Sequence, residues 1–194
     1  MQLFRKPWIW VSRFRKRKGY GVHSPFAFSF IRSVVLETTP YYAYEELAAL
    51  HPWWVRWFHL YPMECRQLLF RLANFAEPKQ VALLTQDEVT KKYVTAAVPK
   101  AKITPVASVA PVAPEIADFV FVERSRLQEA EEIAAAMPEG GMLVCEGIHE
   151  DRTALESWHR IQQAPHTGVT FDLYTYGVAF FNPALYKQHY KVNF

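Results

Sequence analysis

The sequence predicts an α/β domain built on a mostly parallel sheet that closes with a C-terminal antiparallel hairpin, preceded by a helical extension. Three observations predict it. Short apolar runs of the kind buried on both faces, VALLT, ADFVFVE and MLVCEGI, alternate with stretches of helical period. Two more apolar runs, VTFDLYT and VAFF, flank a turn expected at Tyr176 and Gly177. The 194 residues, 51% of them hydrophobic, suffice for one sizeable core and are few for two. Strands alternating with helices imply helices on both faces of the sheet. The expected division is a basic, aromatic arm with a helical extension over 1–78 and the α/β core over 79–194, one structural domain in all.

The elements follow in order. The arm interleaves Trp8, Trp10, Phe14 and Tyr20 with Arg13, Arg15, Lys16, Arg17 and Lys18, fits a helix poorly, and ends at Gly19 and Gly21. Ser24 before Pro25 reads as an N-cap with proline in the first turn, opening a helix over 26–36. Pro40 closes it, and further helices are expected over 44–50 and 63–75. VALLT is the first strand, followed by a polar helix over 87–97. From Pro99 the prolines leave room for one short strand near 103–107, then ADFVFVE. Ser125 with Gln128 resembles a capping box, and helical spacing runs from Leu127 to Met137, where Pro138, Gly140 and Gly141 stop it. MLVCEGI, a helix over 151–162 and the terminal hairpin complete the chain.

Composition bounds the function. Residues 1–36 hold eight Lys or Arg and no Asp or Glu, leaving 14 basic against 19 acidic groups elsewhere, so the net charge of +3 conceals an asymmetry. Residues 5–18 suit an acidic surface, either nucleic acid with rings stacked on bases or an anionic membrane with Trp8 and Trp10 among the headgroups. The plainer alternative packs these aromatics on the body and leaves the basic groups solvated. Cys65 and Cys145 suit buried thiols in a reducing compartment. The apolar run Trp8–Val11 is too short for a signal peptide or a membrane span, and a cytoplasmic protein is expected.

GGMLVCEGIHEDRTALESWHRI followed by GVTFDLYTYGVAFF, together with the early His23–Phe26 segment HSPF, resembles a family of bacterial class I methyltransferases that use S-adenosylmethionine. The match covers roughly the last third of the chain and one early motif. It implies a seven-stranded, Rossmann-like methyltransferase sheet with a reversed last hairpin, and methyl transfer to oxygen or nitrogen. In that family the first strand runs into a glycine-rich turn, because main chain and ligand approach too closely for a Cβ. Here Thr85, Gln86 and Asp87 hold the turn, and no glycine lies between Val22 and Glu139. The family also ends its second strand with an acid that binds the ribose; here that end is Ala107 or Ser108, with no acid from Glu88 to Glu115. The stretch before ADFVFVE is too short for the usual helix, strand and helix, so the sheet is expected to be shortened in its middle.

The expectation is therefore a degenerate member that holds no cofactor and serves as a scaffold or binding protein. The alternative is an active enzyme with an atypical S-adenosylmethionine pocket, its positional cofactor residues Thr85, Gln86, Asp87 and Glu123. Related metal-dependent enzymes carry metal-binding acids where Glu123 and Glu146–Gly147 stand, but two acids make a poor hard-cation site, and no metal is expected. His149 is the candidate general base, against the simpler reading that it caps the sheet edge or helps start the next helix with Asp151. Trp158 reads as core.

Overall fold

The computed structural model describes residues 24–57, 61–105, 117–192 and 194. The arm, His23, and Ala107 and Ser108, where the second strand was expected to end, lie outside the described residues.

The helical extension opens as predicted. Ser24 accepts from the Ala27 N–H at 3.3 Å, and Pro25 occupies the first turn of α1, Pro25–Phe30. The helix then widens into a π-helical stretch, Ile31–Val35. Buried Arg71 serves its last carbonyls, donating to Val34 at 2.7 Å and Val35 at 3.3 Å. Next come α2, Tyr44–Ala48, α3, Trp53–Trp57, and α4, Tyr61–Ala76.

The core alternates β1, Gln80–Leu84, α5, Glu88–Ala97, β2, Lys102–Pro105, and β3, Phe119–Val122. A 3₁₀ turn, Arg124–Glu129, leads into α6, Ala130–Ala136, then β4, Met142–Glu146, and α7, Arg152–Gln163. The chain closes with β5, Val169–Asp172, β6, Tyr176–Phe180, and β7, Gln188–Lys191. The seven strands lie in the order β2-β1-β3-β4-β6-β5-β7. The pairs among β1 to β4 and the pair β5–β7 are parallel, whereas β6 is antiparallel to both its neighbours.

This is the predicted α/β architecture, a mostly parallel sheet closed by an antiparallel hairpin. It reaches seven strands by a different route from the one the resemblance implies. Among the described residues no strand lies outside β2, and the seventh strand is β7, added beyond β5 at the other edge. β7 escaped sequence reading because its residues, QHYK, are mostly exposed and show no apolar alternation.

Two local expectations are corrected. The hairpin turn falls at Leu173–Thr175, with Tyr174 at φ 71, and Tyr176 and Gly177 belong to β6. Gly177 is there for packing: a Cβ on it would lie 2.7 Å from a ring carbon of Trp158. The capping box at Ser125 does not form, because the Ser125 hydroxyl turns back to Glu123 at 3.1 Å.

Alternation along the strands divides the core. Val81, Leu83, Phe119, Phe121, Met142 and Val144 face α1, the π stretch, α4 and α5. Ala82, Leu84, Val120, Val122, Leu143 and Cys145 face α6 and α7, with Trp158 buried among them. Trp158 is thus core, as expected, and both cysteines are buried thiols outside any disulfide.

Candidate functional site

In an open parallel sheet a ligand sits beyond the carboxyl ends of the strands, where the first helix offers its N-terminal N–H groups to an anion. Here that edge carries the turn from β1 to α5. The turn is short because Asp87 caps α5, its Oδ1 accepting from the Val89 N–H at 3.0 Å.

The polar groups of the turn are engaged with one another. Thr85, nearly buried, donates its hydroxyl to Glu123 Oε2 at 2.5 Å and accepts from the Asp87 N–H at 3.0 Å. The Gln86 N–H donates to the same carboxylate oxygen at 3.2 Å. Glu123 reaches the turn because it follows β3, the direct neighbour of β1. Its other oxygen accepts from Ser125. Burial pushes the Glu123 carboxyl up, but hydrogen bonds from Thr85, Gln86 and Ser125 outweigh it and hold the group below the usual range.

A second layer flanks the turn. Arg66 of α4 donates to Asp87 Oδ2 at 2.6 Å and to Thr90 Oγ1 at 3.3 Å, while the Thr90 hydroxyl donates to that same Asp87 oxygen at 2.6 Å. Asp87 is pushed up by burial and pulled further down by Thr90 and Arg66, so it too titrates below its ordinary value. The four positional residues from the sequence, Thr85, Gln86, Asp87 and Glu123, therefore meet in one network. Arg66, Thr90 and Ser125 were missed, since nothing local marks a helical arginine as the partner of an acid 21 residues on.

These residues do not fit the methionine end of S-adenosylmethionine. The turn has no glycine, and its Gln86 and Asp87 N–H groups and the Val89 N–H in the first turn of α5 are already bonded within the chain, to Glu123, Thr85 and Asp87 respectively.

A second cluster lies at the end of β4. Burial raises the Glu146 carboxyl above its usual range, against a hydrogen bond from the Arg124 main chain. Gly147 has φ 76 and approaches Arg124 so closely that a Cβ would fall 2.7 Å from that residue's own Cβ. His149 follows. Its Nε2 lies 2.8 Å from Oδ2 of Asp172, a residue 2% exposed at the end of β5. Its ring stacks on Tyr174, 5.1 Å between centroids and 13° from parallel. Asp172 also accepts from the Tyr174 N–H at 2.9 Å, so one carboxylate holds both the His149 ring and the main chain of the turn that carries Tyr174. The start of α7 is capped by Asp151, which accepts from the Ala154 N–H at 2.8 Å without His149. Among the described residues no group of three His, Cys, Asp or Glu side chains is placed to hold a metal ion.

No protein-family model and no curated protein matches the chain. Solved structures similar to it include cofactor-bound Rv0187 from MTB, at 12% identity and TM-score 0.46, covering 81% of this chain and 96% of that one. Another is the O-methyltransferase TomG from Streptomyces achromogenes, involved in tomaymycin synthesis and solved in complex with SAM. It shows 12% identity and TM-score 0.45, covering 88% of this chain and 98% of that one. Likeness at this level assigns no residue a role.

Proposed function

We propose that this chain is a degenerate bacterial methyltransferase-like protein that no longer uses S-adenosylmethionine and serves as a scaffold or binding protein. One observation carries the reading: the Glu123 carboxylate takes the Thr85 hydroxyl and the Gln86 N–H, the donors that a ligand at the β1–α5 turn needs. To enter, a ligand carboxylate has to displace Glu123 and then sit beside Asp87. Isothermal titration with S-adenosylmethionine and with S-adenosylhomocysteine tests it. No heat of binding is expected in the micromolar range, and micromolar affinity for either compound overturns the proposal.

A second reading is favoured by His149, whose buried partner Asp172 holds one ring nitrogen and leaves the ring oriented, as a general base requires. In it the chain is a methyltransferase with an atypical pocket, and His149 takes the proton from an acceptor O–H or N–H. Methyl transfer from labelled S-adenosylmethionine to hydroxyl and amine acceptors is then lost in His149→Ala and reduced about 10²-fold or more in Asp172→Asn, with the fold retained. Transfer unaffected by His149→Ala removes the role.

A further inference from the structure

Five of the six tryptophans lie in the first 57 residues, and three of them form one surface feature. Helix α3 turns a single residue inward: Val55 is 4% exposed, whereas Trp53, Trp54 and Trp57 are 74%, 48% and 77% exposed. Positions i, i+1 and i+4 share a helix face, so the three indoles form one outward patch. Isolated exposed apolar residues are ordinary, but three tryptophans that share one face and turn about half or more of their surface to water mark a contact surface.

We propose that this extension docks on an anionic membrane surface, with the α3 indoles seated at headgroup depth and the basic N-terminal segment supplying the attraction. Indoles favour that depth because an apolar ring and a polar N–H are both satisfied there. The charge is complementary: residues 1–36 carry eight basic and no acidic groups. The two parts divide the work, since α3 itself holds only Arg56, and α2 beside it in sequence exposes Glu45 and Glu46. At α3 the three rings have only Arg56 among them, too few cations to track an RNA backbone while the rings stack on its bases. Among the described residues no helix is long and apolar enough to cross a membrane, so the association is with the surface. The inference is independent of whether the β1–α5 turn binds S-adenosylmethionine.

Co-sedimentation of the full chain with phosphatidylcholine vesicles, with and without phosphatidylserine, tests it. Binding is expected only with phosphatidylserine, weakening about tenfold or more between 0.05 and 0.3 M salt. A comparable loss is expected in Trp53→Ser/Trp57→Ser and, separately, on changing Arg13, Arg15, Lys16, Arg17 and Lys18 to Gln. An unchanged thermal transition verifies that each variant is folded. The proposal is overturned if phosphatidylserine vesicles do not pellet the protein, or if the tryptophan variant binds them as well as the parent chain. Binding to poly-uridine RNA without vesicle binding overturns it too, as does tryptophan-dependent self-association without vesicle binding.

Discussion

Gly177 occupies a strand position where a Cβ would lie 2.7 to 2.8 Å from three carbons of the Trp158 ring, itself 1% exposed. The sequence suggested a turn at this glycine, because glycine marks turns and close approaches equally well and only the third dimension tells them apart. Gly177→Ala is expected to cost about 1–3 kcal/mol as the indole is forced off its rotamer, read as a lower urea midpoint with unchanged slope. The same distinction between local and distant signals governs the candidate site. Thr85, Gln86, Asp87, Glu123 and His149 were legible because each stands at a strand end that the apolar runs reveal. Their partners were not, since Asp172 is 23 residues from His149 and Arg66 lies on another helix. The pH dependence of stability follows from such partners. Asp87 and Glu123 titrate in the fold below their unfolded references of 3.8 and 4.5, so their contribution is complete above those values and is lost as pH falls through the folded ones. His51 lies below its reference of 6.5, through burial and then repulsion from Arg66, so the unfolded chain takes its proton first as pH falls. The urea midpoint is therefore expected to fall in two stages, first below about pH 6.5 and again below about pH 4.5. A midpoint unchanged between pH 7.5 and 5.5 contradicts the first stage.

Among the elements, α5 shows how a short polar helix is held. Its buried face, Thr90, Tyr93, Val94 and Ala97, rests on the sheet side shared with α4, and Tyr93 adds a hydrogen bond to His51 at 3.0 Å. Burial pushes the Tyr93 hydroxyl up to about 12, so it stays protonated throughout the physiological range. Its start depends on Asp87, which both caps the helix and receives Arg66. Asp87→Ala is expected to cost about 1–3 kcal/mol, a cap plus a partly shielded charged hydrogen bond, whereas Asp87→Asn keeps the cap and costs less. Equal losses in the two, measured by chemical denaturation, would assign the effect to the charge alone. The expected starts of α5 and α7 fell on the residues that cap them, Asp87 and Asp151, and the start of α1 was readable because its cap, Ser24, is followed at once by proline. The π stretch after α1 was not, since its carbonyls are satisfied by Arg71, 36 residues or more away. β7 was not either, because an exposed edge strand is specified by its neighbour β5 and hardly by its own side chains.

Across the whole molecule the extension and the α/β core share one hydrophobic interior. Phe30 of α1 meets Phe171 of β5 at 4.5 Å between centroids and Phe180 of β6 at 5.2 Å, while Phe26 meets Phe180 at 5.1 Å. Leu68, Leu69 and Leu72 of α4 are fully buried in the same cluster as Val81, Phe119 and Phe171. An α/β sheet needs both faces covered, and α6 and α7 cover only one. Residues 79–194 alone would keep only α5 on the other face and would strip α1, the π stretch and α4 from it, leaving Phe171 and Phe180 without the extension's rings that cover them. We therefore expect that fragment to aggregate or to behave as a partly ordered state that binds hydrophobic dye, and the chain from Ser24 onward to unfold in one cooperative transition. Phe30→Ala supplies the intermediate case: about 3–5 kcal/mol of destabilisation, the usual cost of emptying a well-packed aromatic site. A soluble 79–194 fragment with a sharp thermal transition of its own would show that the extension is a separate unit resting on a complete domain.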